Sequence, residues 1–266
     1  MDSGLYAAYT GLLARTQALD TAANNLANAG TAGFRAEKDF FRGVMVDNLS
    51  GITTASQVGS TVNDYGILGG NMLDFTQGQI ATTGNPLDLA LEGDGFFAVQ
   101  TGQTVQAGIN GQPDQTVPIL KYTRQGNFSR SSTGVLEDSE NHAVLDPQQR
   151  PITIPTGAIQ VASNGTVSVA TPAGSTVVGQ VGVFTFPDKR VLSADGTNRL
   201  SAPDTAKPVA GTATIRQGAV EGSNEDAMMG TMQLVLVQRQ TEMMQKALTV
   251  FNTDFDKVAA EELPKV

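Results

Sequence analysis

Cysteine and tryptophan are absent from this chain of 266 residues, and a single histidine, His142, is present. Without thiols there is no disulfide framework and no thiolate metal site, although zero cysteine identifies no compartment. One histidine leaves no zinc set of imidazoles and no second base. It sits in "DSENHAVLD", between an acidic turn-like stretch and a strand, and reads as a loop histidine rather than a general base. Cations are scarce too: 17 Lys and Arg face 26 Asp and Glu, a formal charge of −9. That balance opposes binding to phosphate backbones and anionic lipid, so nucleic acid is excluded as a partner. No window approaches eighteen consecutive apolar residues. The opening "MDSGLYAAYT" has neither a basic segment nor an apolar core, so no cleavable secretory signal is expected, and any export follows another route.

What is present is periodicity of two kinds. Leu5, Leu12, Leu19 and Leu26 recur every seven positions, with Tyr9, Thr16 and Ala23 between them in four-three alternation, the seam of a bundle or coiled-coil helix. "NNLANAGTAGF" then ends that helix, because Asn28, Gly30 and Gly33 tolerate left-handed backbone angles. The chain closes on a longer helix. Its seam is Leu234, Val237, Thr241, Met244, Leu248, Phe251, Phe255 and Val258, and Ser223 and Asp226 have the spacing of a capping box before it. An amphipathic helix of this length needs a surface to bury its seam. The N-terminal seam, from the same chain or from neighbours, is the candidate.

Between the helices the reading changes. "RAEKDFFRGVMVDNL" places Phe41, Val44, Met45 and Leu49 at helical spacing and predicts a short helix. The Gly-, Ser- and Thr-rich "SGITTASQVGSTVNDYGILGGN" predicts a loop; it lacks the Gly-Lys-Ser/Thr ending of a phosphate-cradling turn. From about Leu73 the period is two. Leu87, Leu89 and Leu91 alternate with Asp88, Ala90 and Glu92, and a Gly-Asp-Gly turn leads into "GFFAVQ", which predicts a hairpin. A second hairpin is predicted where Asn164-Gly165 joins "AIQVA" to "TVSVA". The predicted fold is mainly β: an antiparallel, sandwich- or barrel-like body flanked by coiled-coil-type terminal helices. The predicted domains are 1–34 with 223–266 as the helical part, 35–86 as a connector with a short helix, loops and strands, and 87–222 as the β body.

Three stretches carry a resemblance. "NNLANAGTAGFRA" resembles the N-terminal signature of the flagellar rod and hook axial proteins, with Asn24, Asn25, Leu26, Ala27, Asn28, Thr31, Gly33 and Phe34 each matching it. "PLDLALEGDGFFAVQ" with "YTRQGNFS" resembles that family's core, and "VEGSNEDA" followed by "VQRQTE" its C-terminal helix. Within the family the "MD" start, "TAGFRA" and "VEGSN" look most similar to proximal-rod members, with distal-rod members next. The sequence departs from the pattern at Met229-Gly230, where acidic residues are common, and at Thr241, where an aromatic is common. The resemblance implies a structural subunit of the flagellar basal body, exported uncleaved through the flagellar type III apparatus. It implies partners among other rod and hook proteins and copies of itself, with terminal helices of many subunits forming a torque-transmitting tube across the periplasm. Subunit packing would then fall to Leu5, Leu12, Leu19, Leu26, Leu234, Val237, Met244, Leu248, Phe251, Phe255 and Val258, with no catalytic residue, metal, cofactor or small-molecule substrate.

Competing readings are weaker. Asp88, Glu92 and Asp94 offer carboxylates for an enzyme, for instance a secreted glycan-acting one, but they read as the polar face of a strand and a turn. Asn48, Asn127 and Asn164 head Asn-X-Ser/Thr triplets to which no role is assigned. Met228, Met229, Met232, Met243 and Met244 form an adaptable apolar cluster suited to helix packing between slightly unequal neighbours. A secreted adhesin or phage-fibre-like β protein shares the Gly, Thr and Val bias, but does not account for "NNLANAGTAGF" and "VEGSN" together.

Overall fold

A computed structural model of the chain describes residues 2–43, 66–105, 115–171, 174–196 and 198–262. They fall into two compact units that share the chain discontinuously. One holds residues 1–27, 37–72 and 226–266, the other 28–36 and 73–225. The chain therefore passes from one unit to the other four times, after Ala27, Ala36, Met72 and Glu225.

The first unit contains both long helices, α1 (Asp2–Ala27) and α2 (Ala227–Glu262), which pack on each other. Helix α1 ends one residue beyond Leu26, where the asparagine and glycine residues begin. The cap of α2 is Asp226, not Ser223: the Asp226 carboxylate accepts from the backbone N–H groups of Met228 and Met229 at 2.8 and 2.9 Å. The seam of α2 is buried in the single chain, with Val237, Thr241 and Leu248 all nearly inaccessible and Leu234 and Met244 partly so. On α1 the buried line is Ala14, Ala18, Thr21, Ala22 and Asn25. Leu12, Leu19 and Leu26 are half-buried beside it, while Tyr9, Thr16 and Ala23 face out. Small residues let the two backbones approach: a Cβ on Gly11 would stand 3.6 Å from Met244 Cε. The heptad found the right helix and missed its buried line by part of a turn, because alanines mark a close helix contact less visibly than leucines. Leu5, Phe251, Phe255 and Val258 lie on the helices, but their side chains are outside the described residues.

The same unit overturns the short helix expected after Arg35. Glu37–Gly43 is a strand, paired with Gly66–Leu73, and the rest of that expected helix, 44–49, lies outside the described residues. Glu37 and Asp39 alternate with the exposed Lys38 and Phe40, the period of two that a strand requires. Both bond to α1: the Asn25 side chain pairs with the Glu37 backbone N–H and C=O, at 2.9 and 2.8 Å, and Thr21 donates to Asp39 at 2.9 Å.

The second unit is an antiparallel β body with no closed ring of strands among the described residues. Its central strand, Phe96–Val105, pairs with Gln115–Thr123 on one side and Ala143–Val144 and Val183–Thr185 elsewhere along its length. Alternate side chains of that strand enter different clusters. Phe97 and Val99 join Leu89, Leu91, Phe128, Val167 and Ile215, whereas Phe96 and Ala98 join Tyr122, Leu145, Phe184 and Phe186. Both faces are thus apolar, as a strand between two layers must be. Tyr122 meets Phe186 edge to face at 4.8 Å, and its burial pushes the phenol up to about 12.

The first predicted hairpin is not formed. Leu89–Glu92 pairs instead with Thr214–Gln217, far along the chain, and Ala90 is as buried as the leucines on either side. Alternation reports which face a residue takes but not which strand it pairs with, and an alanine on the second face hid the two-sided burial. The second hairpin forms, Ala158–Val161 against Thr166–Thr171, through a loop in which Gly165 has φ of 86°. Asn164 has no positive φ and instead accepts from the Thr166 N–H at 3.0 Å.

Candidate functional site

Arg35, Arg124 and Glu221, one from each of the three stretches that carry the resemblance, meet in the β unit around one buried carboxylate. Glu221 ends a short strand, Ala219–Glu221, that pairs with Ile80–Thr82. Its side chain is wholly inaccessible. Oε1 accepts from Arg35 Nη2 at 2.5 Å and from the Gly78 N–H at 2.9 Å, and Oε2 accepts from Arg124 Nη1 at 3.0 Å. Arg124 also donates to the Gly93 carbonyl at 2.6 Å and lies 5.4 Å above the Phe96 ring. Two guanidinium groups therefore share one carboxylate in a dry setting. Burial lowers the pKa of Arg124, with the Arg35 charge acting in the same direction, and the charge and hydrogen bond of Glu221 oppose both. Asp94 adds a weaker opposing charge; its own carboxyl is held below the usual range by Lys189, 2.7 Å away.

The backbone around this cluster is fixed just as closely. Gly33 has φ of 71°, and its N–H donates to the Glu221 carbonyl at 2.8 Å. A Cβ there would stand 2.2 Å from the Gln125 nitrogen, so only glycine fits. Thr31 returns to Asn28 through its N–H at 3.0 Å, closing the turn that follows α1. Phe34 is buried. Asn224 accepts from the Ala36 N–H and donates to the Asp74 carbonyl, both at 2.7 Å, so one amide joins two of the chain's crossing points. The opening helix stop thus ends in a turn pinned to the strand of Glu221.

Of the signature residues, Gly33 and Phe34 stand at this cluster, with Asn28 and Thr31 in the turn before it; Asn25 acts within the helical unit. Leu26 is half-buried and Ala27 exposed, and Asn24 borders a cleft beside α1. Sequence reading missed Arg35, Arg124, Glu221 and Asn224. Their signal was charge and amide groups inside the quoted stretches "GFRA", "YTRQ" and "VEGSN", where solvated turns would not need them.

The carboxylates considered for catalysis are held structurally. Asp88 is buried and accepts from Thr83 at 2.6 Å and Asn85 at 2.9 Å, while Glu92 lies at the surface 3.5 Å from Arg216. His142 Nδ1 is 3.1 Å from both an Asp138 oxygen and an Arg199 nitrogen. Among the described residues no group of three or more His, Cys, Asp or Glu is placed to hold a metal, and no helix is long and apolar enough to cross a membrane.

A pair of long helices drawn from the two ends of the chain, a β body encoded between them and a buried Arg35–Glu221–Arg124 charge cluster in that body define a helix-pair-plus-β-body architecture. Residues 5–35 match the flagella basal body rod protein family, and residues 90–169 match the flagellar hook protein FlgE/F/G D1 domain. The chain is 32% identical to the flagellar basal-body rod protein FlgF of Caulobacter vibrioides over the whole of both chains. It is 34% identical to FlgF of Salmonella typhimurium and 31% identical to FlgG of Bacillus subtilis, each over 92% of this chain and 93% of the relative. The chain belongs to the flagellar basal-body rod protein family.

Proposed function

We infer that this protein is a structural subunit of the flagellar basal-body rod, assembling with other axial proteins and with copies of itself into the drive shaft. The observation that carries this reading is similarity to rod proteins along the whole length, both helices and the β body included. The segments 1–34 and 223–266 form the tube through coiled-coil-type contacts between subunits, 87–222 forms the outer body, and 35–86 connects them. The subunit resides in the basal body, in the part of the rod that spans the periplasm, and reaches it uncleaved through the flagellar export apparatus. It performs no reaction. Both FlgF and FlgG relatives support a rod position, and the "TAGFRA" and "VEGSN" stretches favour the proximal one. Electron microscopy of basal bodies from a deletion strain tests the reading: a truncated rod is expected, and an intact, motile flagellum removes it.

A further inference from the structure

Helix α2 carries a second heptad row, on the side away from its buried seam. Met229, Leu236, Met243 and Val250 follow one another at intervals of seven, and all are more than half exposed, at 63, 57, 62 and 59%. A row with these side chains has no reason to face water in a finished assembly. Arg239 and Lys246 run along its edge, both exposed, and neither meets a carboxylate among the described residues.

Helix α1 offers a complementary face. Tyr9 and Leu13 are 51 and 60% exposed, and Asp20 lies on the same side. Beside Asp20 opens a cleft of about 580 Å³ bordered by Asn24, Glu37 and Asn71. Asp20 and Glu37 have no cationic partner among the described residues. Tyr9 and Asp20 are eleven residues apart, and so are Arg239 and Val250, a rise of roughly 16.5 Å in each helix. With the two helices antiparallel, Val250 meets Tyr9, Arg239 meets Asp20, and Leu13 falls opposite position 246, between Val250 and Met243.

We propose that the exposed Leu236–Met243–Val250 part of this row docks on the Tyr9–Leu13–Asp20 face of α1 in a second copy of this chain, with Arg239 seated at the acidic cleft. The proposal rests on the rod-subunit reading and names the helix faces through which copies join. Donor and acceptor faces differ, so the contact is heterologous and propagates from copy to copy rather than closing as a two-fold dimer. The buried seam holds each subunit's own helix pair together, and the outer row joins subunits.

The absence of cysteine makes the test clean. A strain carrying the Asp20→Cys, Arg239→Cys double variant supplies basal bodies, which are oxidised and probed on non-reducing gels with antibody to this chain. A ladder at multiples of the chain mass is expected, collapsing on reduction and absent from either single variant. Bands at monomer mass alone, in basal bodies that contain the chain, overturn the docking and leave the rod reading intact. A shifted band that contains a different axial protein overturns it as well. Absence of the wild-type chain from basal bodies removes both. As a second measurement, Arg239→Asp is expected to abolish swimming and added Asp20→Arg to restore it; failure of restoration overturns the pairing.

Discussion

Glu221 shows how much one buried charge organises. Its two oxygens take donors from Arg35, Gly78 and Arg124, residues separated by most of the β unit's sequence. Removing the charge leaves two guanidinium groups facing each other in a site closed to water. Glu221→Gln is therefore expected to cost about 3–5 kcal/mol in the β unit, measured by urea unfolding, since breaking one side of a buried pair strands the other. Asp39 behaves in the opposite sense. Burial raises its pKa above the ordinary 3.8, the Glu37 charge adds to the rise, and the Thr21 hydrogen bond only partly opposes them. The folded state thus prefers the protonated acid. Its contribution to stability is fully present below the unfolded value and is lost as pH rises through the raised folded one. Asp39→Asn, which keeps an acceptor for Thr21, is expected to raise the melting temperature of the helical unit at neutral pH and to give no gain below the ordinary carboxylate value. A gain that persists undiminished in acid would show that charge is not the cause.

Elements were legible where one periodicity held and nothing competed with it. Both helices announced themselves, and α1 ends at Ala27, where the asparagine and glycine run begins and turns back through the Thr31 N–H bond to Asn28. The register of burial on α1 was not legible, since its core line is built from Ala14, Ala18 and Ala22 while leucines flank it. The strand Glu37–Gly43 was misread because Phe41 and Val44 suit a helix, whereas its true anchor is a bond between the Asn25 amide and the Glu37 backbone that no local pattern encodes. For the same reason the pairing of Leu89–Glu92 with Thr214–Gln217 and the meeting of Arg35 with Glu221 stayed hidden: both join residues more than a hundred positions apart. The two faces of α2 make this division testable. Leu248→Ala, on the buried seam, is expected to cost about 2–5 kcal/mol in the isolated chain. Met243→Ala, on the exposed row, is expected to stay within about 0.5 kcal/mol. Equal losses, followed by helix ellipticity in urea, would mean that the exposed row is already covered in the monomer.

At the scale of the whole molecule, each unit contains its own buried residues, so damage should stay within the unit that receives it. The helical unit depends on Val237, Thr241 and Leu248 of α2 and the alanine line of α1, while the β unit depends on two apolar clusters and the Glu221 charge cluster. No residue of the helical unit belongs to either apolar cluster. Leu248→Asp buries an unpaired carboxylate on the helix seam, at a cost of several kcal/mol. It is expected to lower the thermal transition seen by helical circular dichroism and to leave the near-ultraviolet signal of the buried Tyr122 melting where it did. Glu221→Gln is expected to do the converse. On the proposed assignment of the helical unit to the shaft and the β unit to its outer body, each variant is also expected to impair swimming in a complemented deletion strain. If either substitution lowered both transitions together, the four crossings of the chain would have to couple the units into one cooperative fold, and loss of motility could no longer be assigned to the helices or to the body alone.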